Sequence, residues 1–335
     1  MRAAVYDRTG PAAEVLRLAD QPDPAPGPGE VLVRVHASGI NPADVKRRAG
    51  WNGAQMAHPL VIPHCDGAGV IEGVGEGVDP ARLGQRVWMW NAQGGYGEAG
   101  RAFGTAADLI ALPAEQAVPL PDTLSFAEGA CMGVPGLTAW LLVLGDGSVE
   151  GKTLLIQGAA GAVGQMTTQI ALATGAKVIA VVGSEESASH LRALGDMPIL
   201  NRHEDDLPAR VAELTQGRGV DRIAEVDLAA NMATDIACLA PHGIIASYSC
   251  SSDPTPVLPY YDLANLGAVI RFVQGFRLAP GQRPAAERTL TELAARGQLR
   301  PRVGAEFSLS DIALAHDRVA SGASGQTVLT LVPRD

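Results

Sequence analysis

The run Gly158-Ala159-Ala160-Gly161-Ala162-Val163-Gly164 constrains this chain more than any other stretch. It follows an apolar segment at 153–157 that reads as a strand, and it opens a helical pattern at 162–174. Strand, glycine turn and helix thus stand in the order that a dinucleotide diphosphate requires. The physical reason is access: small residues let the backbone approach the diphosphate, and the helix amides and dipole then stabilise its negative charge. Any side chain at Gly161 is expected to intrude on that ligand. A glycine triplet alone is also compatible with a tight strand-to-helix turn in another kind of α/β enzyme, so the weight rests on the flanking pattern.

The segments around the turn agree with it. Candidate strands at 153–157, 178–182, 199–200, 222–226, 244–248 and 268–273 alternate with helical stretches at 162–174, 186–194, 206–215 and 230–239. Such alternation is expected of a doubly wound parallel sheet. The chain before residue 125 has a different texture, with short strands at 3–6, 30–37, 70–74 and 108–112 between Gly and Pro signals, and a proline-rich surface connection at 22–29. A helix at 284–296, a strand at 303–308, a helix at 311–321 and a strand at 326–332 are expected to return and complete that first domain. At 335 residues the chain exceeds what one core usually serves, and the expected division is 1–124, 125–274 and 275–335.

Composition narrows the function classes. A net charge of -10 argues against a nucleic-acid backbone or an anionic membrane as the main partner, since both attract basic surfaces. No long apolar run suggests a leader or a membrane span, and Cys65, Cys131, Cys238 and Cys250 form no C-x-x-C pair, so free thiols in a cytoplasmic protein are expected. His36, His58, His190, His242 and His316 show no metal-binding spacing, and Ala160 stands where a G-x-S-x-G nucleophile would be. Beyond the second strand of the parallel sheet, Glu185 could select the ribose diol of NAD, whereas Gly183 and Ser184 leave room for a 2′-phosphate that Arg202 could face. NADPH is favoured over NADH; the other reading of Arg202 is a solvated cation beside Glu204, Asp205 and Asp206.

Several motifs in order, Asn41-Pro42-Ala43-Asp44, Asp66-Gly67-Ala68-Gly69-Val70-Ile71, Gly84-Gln85-Arg86-Val87, 135–139, the glycine turn and Asn201-Arg202-His203-Glu204, resemble the medium-chain dehydrogenase/reductase superfamily. Within it the chain is similar, over nearly its whole length, to the zinc-independent quinone oxidoreductases related to zeta-crystallin. The resemblance implies an α/β protein: a GroES-like β-barrel catalytic domain, a Rossmann cofactor domain, a cleft between them, and a homodimer paired through the last strand of the cofactor sheet. It places the diphosphate at Gly158, Ala160, Gly161, Ala162, Val163 and Gly164, and the adenosine end at Gly183, Ser184 and Arg202. The nicotinamide end falls to Thr138, Asn231, Tyr248, Ser249, Phe272, Val273 and Gln274, with Asn41 nearby.

By the same resemblance, the positions that hold catalytic zinc in related alcohol dehydrogenases are Asn41, Cys65 and Val134, and 88–108 lacks the four cysteines of a structural zinc lobe. Valine supplies no donor, so no metal site is expected; Cys65 and His64 read as a partly buried thiol beside a surface imidazole. Without a metal to polarise a carbonyl, the expected acceptor is a quinone or another conjugated carbonyl compound, with Asn41 donating a hydrogen bond to the developing oxyanion. Lys46 and Asn52 stand where relatives often carry tyrosines, and with Trp51 and Trp90 they are the candidate substrate contacts. Trp88 and Tyr96 are further flat surfaces, core packing being the plainer reading for each aromatic. Ser187 replaces a lysine that some relatives place near the 2′-phosphate, which counts against NADPH, and the glycine-rich segment 91–104 reads as a rim over the cleft. Two further readings remain: an enone or enoyl-thioester reductase on the same scaffold, and a cofactor-binding protein without turnover, as in crystallins.

Overall fold

The computed structural model describes residues 1–53, 55–94, 100–279 and 281–331; Tyr96 and the last residue of the strand expected at 326–332 lie outside them. The chain divides into two compact units, Met1–Pro135 with Glu287–Asp335, and Gly136–Ala286.

The first unit opens with β1 (Arg2–Val5), α1 (Ala12–Val15) and β2 (Arg17–Asp20), the two strands paired antiparallel. There follow β3 (Glu30–Ile40), α2 (Pro42–Ala49), β4 (Asp66–Val74), β5 (Arg86–Met89), β6 (Leu109–Pro113), β7 (Ala117–Pro119) and α3 (Phe126–Gly129). Periodicity places no helix at 42–49, yet α2 forms, because Asn41 and Asp44 make a capping box and Pro42 takes the first helical position. β4 starts four residues before the apolar pattern at 70–74 suggests. Its first half is glycine-rich because the neighbouring strand lies close: a Cβ at Gly69 would stand 1.9 Å from the carbonyl oxygen of Arg34.

The second unit holds α4 (Leu137–Leu144), β8 (Thr153–Ile156), α5 (Ala162–Ala173), β9 (Lys177–Val182), α6 (Glu185–Arg192), β10 (Ile199–Asn201), α7 (Leu207–Leu214), β11 (Val220–Glu225), α8 (Leu228–Cys238), β12 (Leu239–Ser247), α9 (Tyr260–Leu266) and β13 (Val269–Phe272). Its six strands are parallel in the order β10-β9-β8-β11-β12-β13. Strand order reverses between β8 and β11, which is where open α/β sheets offer a crevice at the carboxyl ends of their strands. Both faces of such a sheet are covered, and accordingly every residue of β8 is buried. Leu155, Ile179, Ile223 and Ile245 form the centre of the core, with Leu228 and Met232 of α8 packed among them.

The chain then passes through α10 (Gln282–Ala295), β14 (Val303–Ser308), α11 (Ile312–Ala320) and β15 (Gln326–Thr330). β15 pairs antiparallel with β3 and parallel with β14, extending a sheet ordered β14-β15-β3-β4-β5-β7, to which β6 adds against β3. Ile312, Ala315 and Leu329 share one core with Val5, Val33 and Ile71. Among the described residues, no helix is long and apolar enough to cross a membrane.

Candidate functional site

The glycine turn begins where β8 ends. Gln157 continues the pairing with β11 through its N–H to the carbonyl of Ala224 at 3.0 Å, and Gly158 then turns the chain with φ +62°, a left-handed conformation that glycine adopts without strain. Gly164 is required by the fold itself: a Cβ there would lie 2.2 Å from the Gly158 carbonyl oxygen and 2.8 Å from the Cα of Ala159. At Gly161 the nearest atom to such a Cβ is the Gly158 carbonyl oxygen at 3.3 Å, a tight contact that a shift of a few tenths of an ångström would relieve, so the fold demands glycine less strictly here than at Gly164. α5 has no side-chain cap at Gly161, which leaves its first-turn amides and its dipole for an anion. Ala160 is buried, whereas Ala162 and Val163 are partly exposed beside it.

The next loop holds the second group of candidates. Ser184 caps α6 by accepting a hydrogen bond from the Ser187 amide, and Glu185 is engaged by Arg192 at 2.5 Å. The acid that would select a ribose diol is thus already paired. Arg202 is exposed, pairs with no carboxylate among the described residues, and lies against Gly183, its Nε 3.4 Å from where a Cβ would be. His203, absent from the sequence-based candidates, lies beside it: its Nε2 is 3.2 Å from Arg202 Nε and 3.7 Å from the same Cβ position. A cation and an imidazole over a bare glycine suit a phosphate.

Asn231, Tyr248, Ser249, Phe272, Val273 and Gln274 gather at the carboxyl ends of β11, β12 and β13. Backbone bonds link them, from Tyr248 N–H to the Glu225 carbonyl at 3.1 Å and from Val273 N–H to the Ser247 carbonyl at 2.8 Å. Asn231 donates from Nδ2 to Glu225 Oε1 at 2.9 Å. Ser249 Oγ bonds Ser251 Oγ at 3.0 Å, and Phe272 and Gln274 are exposed. Burial and then Glu225 push the Tyr248 phenol up, so it remains a hydrogen-bond donor. Thr138 is a buried residue of α4.

In the first unit, Asn41 lies buried at the start of α2. Its Nδ2 donates to Asp66 Oδ2 at 2.8 Å, its Oδ1 accepts from Gln326 Nε2 at 3.2 Å, and its backbone N–H donates to Asp44 at 2.8 Å. The Val134 N–H also donates to Asp66 Oδ2 at 2.8 Å, so Asn41 and Val134 meet on one carboxylate. Burial drives Asp66 well above the usual carboxylate range against those two donors, and pushes Asp44 up to about 6. The side chains of Val134 and Asn41 offer no thiolate or imidazole, burial pushes the Cys65 thiol up, and no group of three His, Cys, Asp or Glu residues able to hold a metal occurs among the described residues.

His64 corrects the expectation of a surface imidazole: it is fully buried, as is Cys65, and it bonds to His316 of α11. The chain of bonds fixes both tautomers. Thr105 Oγ1 donates to the Asp66 carbonyl at 2.6 Å, so it accepts from Ser38 Oγ at 2.7 Å. Ser38 then accepts from His64 Nδ1–H at 2.8 Å, and His64 Nε2 accepts from His316 Nε2–H at 2.9 Å. This leaves His316 Nδ1 buried without a partner among the described residues. Burial lowers both imidazoles, His316 to about 3. Of the remaining candidates, Lys46 Nζ sits 4.7 Å over the exposed ring of Trp51, Asn52 is exposed with φ 54°, and Trp90 and Trp88 are buried.

Comparison with known proteins follows this division. The profile of the alcohol dehydrogenase GroES-like domain matches residues 27–122, and that of the zinc-binding dehydrogenase matches 162–295. A quinone oxidoreductase of Rattus norvegicus is 32% identical over 340 residues, covering 99% of this chain and 98% of the relative. The structure of an NAD-dependent alcohol dehydrogenase superposes with TM-score 0.89 at 30% identity, covering 99% of this chain and 100% of the other. The Escherichia coli quinone oxidoreductase complexed with NADPH gives TM-score 0.82 at 25% identity, covering 98% and 100%.

Proposed function

The chain belongs to the medium-chain dehydrogenase/reductase superfamily, quinone oxidoreductase type, and on that premise we propose that it is a zinc-independent reductase that uses NADPH to transfer hydride to a quinone or other conjugated carbonyl compound. The observation that carries the cofactor reading is the pairing at Gly183: Arg202 and His203 lie over the glycine while Glu185 is held by Arg192. That arrangement favours a 2′-phosphate over a free ribose diol. The donor set supports a metal-free site, because Asn41 and the Val134 backbone are spent on Asp66.

Bound NADPH would supply the hydride. The chain's own contribution begins at the uncapped head of α5, whose amides would hold the diphosphate, with Gly161 giving the clearance. Asn231, Tyr248, Ser249, Phe272, Val273 and Gln274 would orient the nicotinamide end, with Thr138 near it. Asn41 would donate from Nδ2 to the developing oxyanion, its amide fixed in orientation by Asp66 on one side and Gln326 on the other. Lys46, Trp51, Asn52 and Trp90 would line the acceptor's surroundings. Val269 and Phe272 of edge strand β13, with Tyr260 and Tyr261 of α9, are exposed and would be covered in a homodimer.

Loss of absorbance at the reduced nicotinamide band, followed with NADPH and NADH against a panel of quinones and enones, tests this reading. Quinone reduction preferring NADPH is expected. Turnover confined to enones would replace it with the enone-reductase reading, and binding without turnover would leave only a cofactor-binding protein.

A further inference from the structure

Below the glycine turn lies a pair of acids that the proposed reaction does not use. Glu225, at the end of β11, and Asp235, in the middle of α8, are both completely buried. Glu225 Oε1 accepts from Asn231 Nδ2 at 2.9 Å and from the Asp227 N–H, and Asp235 Oδ1 accepts from Gln157 Nε2 at 3.1 Å. Each carboxyl keeps one oxygen, Glu225 Oε2 and Asp235 Oδ2, with no N–H or O–H donor among the described residues, and the two side chains lie within hydrogen-bonding reach of each other. Two carboxylates repel, but a single proton between them makes one the donor and satisfies both.

We propose that Glu225 and Asp235 share one proton and, through it, are positioning residues for the cofactor: Asp235 holds Gln157 at the entrance to the glycine turn, and Glu225 holds Asn231. The proposal rests on the dinucleotide reading of that turn. Among the described residues, the other titratable groups facing the pair add no compensating cation. Asp227, at the start of α8, adds negative charge beside Glu225; Tyr248 faces Glu225 from the end of β12; and Cys238 lies near Asp235 on α8. On α7, which packs against α8, Arg210 is paired with Glu213. The shared proton is therefore what keeps the pair together, and its departure leaves two buried charges side by side with no counter-ion among the described residues.

The folded chain retains a proton that the unfolded chain releases near pH 4, so its stability falls as pH rises above that value. Two measurements on the full-length protein test this. Melting temperature without cofactor, read from pH 7 to 10, above the range in which the buried imidazoles act, should fall with rising pH in the wild type and lose the pair's share of that slope in Asp235→Asn, whose amide supplies a permanent donor. Glu225→Gln should lose it likewise, and serves if the first variant does not fold. The dissociation constant for NADPH should rise by up to about tenfold per pH unit in the wild type once the proton leaves, and should stay level in the variants. A wild type without either slope, or a variant that keeps the wild-type slopes, overturns the proposal. Failure to bind NADPH or NADH at any pH would instead sink the dinucleotide reading, and the melting series would still decide the shared proton.

Discussion

The two groups of candidate residues solve opposite problems. Around the glycine turn polar groups have capacity to spare: α5 has no side-chain cap, and Arg202, bonded only to His203, pairs with no carboxylate among the described residues. Around Asn41 most polar atoms are spent, on Asp66, Gln326, Asp44 and the run from Thr105 to His316, with Asp66 Oδ1 and His316 Nδ1 as exceptions. An anion needs donors waiting for it, whereas a directional hydrogen bond to a reacting atom needs a donor that does not swing. On the proposed reading, binding is built from donors held in reserve and orientation from donors held in place.

Substitutions at the two ends of the turn should break this contrast most strongly. Gly164→Ala puts a methyl group 2.2 Å from a backbone oxygen, an overlap that costs about 1–3 kcal/mol or more, and should abolish NADPH binding together with part of the helical circular dichroism. Gly161→Ala should leave the circular dichroism intact and weaken only binding, by tenfold or more on the order of one lost charge-assisted bond. Equal damage to the fold from both would show that Gly161 is structural.

Next in size is Asn41→Ser, which keeps an N-cap side chain for α2 but removes the amide donor. Turnover should fall by about a hundredfold with the dissociation constant of NADPH nearly unchanged. A melting temperature that drops while turnover per folded molecule holds would reduce Asn41 to a helix cap.

Arg202→Ala should weaken NADPH about tenfold and leave NADH as it was, measured by nicotinamide fluorescence. Equal loss for both coenzymes would remove the 2′-phosphate from the argument.

A test of a different kind concerns acid. His64 and His316 are buried neutral, with folded affinities for protons below those of free imidazole. The unfolded chain therefore binds protons that the folded chain refuses. Their contribution is complete above about pH 6.5 and is lost as pH falls below it, at about 1.4 kcal/mol per pH unit for each ring. The urea midpoint should decline from pH 6.5 toward 4 and decline less in His316→Gln; a level midpoint would contradict neutral burial.

What could be read in advance follows the distance along the chain. Gly158 to Gly164 is legible because strand, turn and helix are consecutive, and the parallel strands announce themselves as apolar runs. α2 was hidden, since Asn41 and Asp44 fix it through a cap rather than through apolar spacing. His64 and His316 are 252 residues apart, and nothing local marks a histidine for burial against another. Glu225 and Asp235 look like surface acids in a one-dimensional reading, and only the orphaned oxygens show otherwise. Asn41 was reachable through family resemblance alone, because its partners Asp66 and Gln326 come from strands separated by most of the chain.

The return of β15 to the side of β3 carries a consequence for biosynthesis. Residues 136–286 form a unit from one uninterrupted stretch and can close as soon as they leave the ribosome. The amino-terminal strands, although made first, must wait with an open sheet edge until Gln326 and its neighbours arrive. A chain cut between residues 286 and 326 would therefore keep the parallel-sheet unit whole but leave it tied to an unfinished sheet with an exposed, aggregation-prone edge.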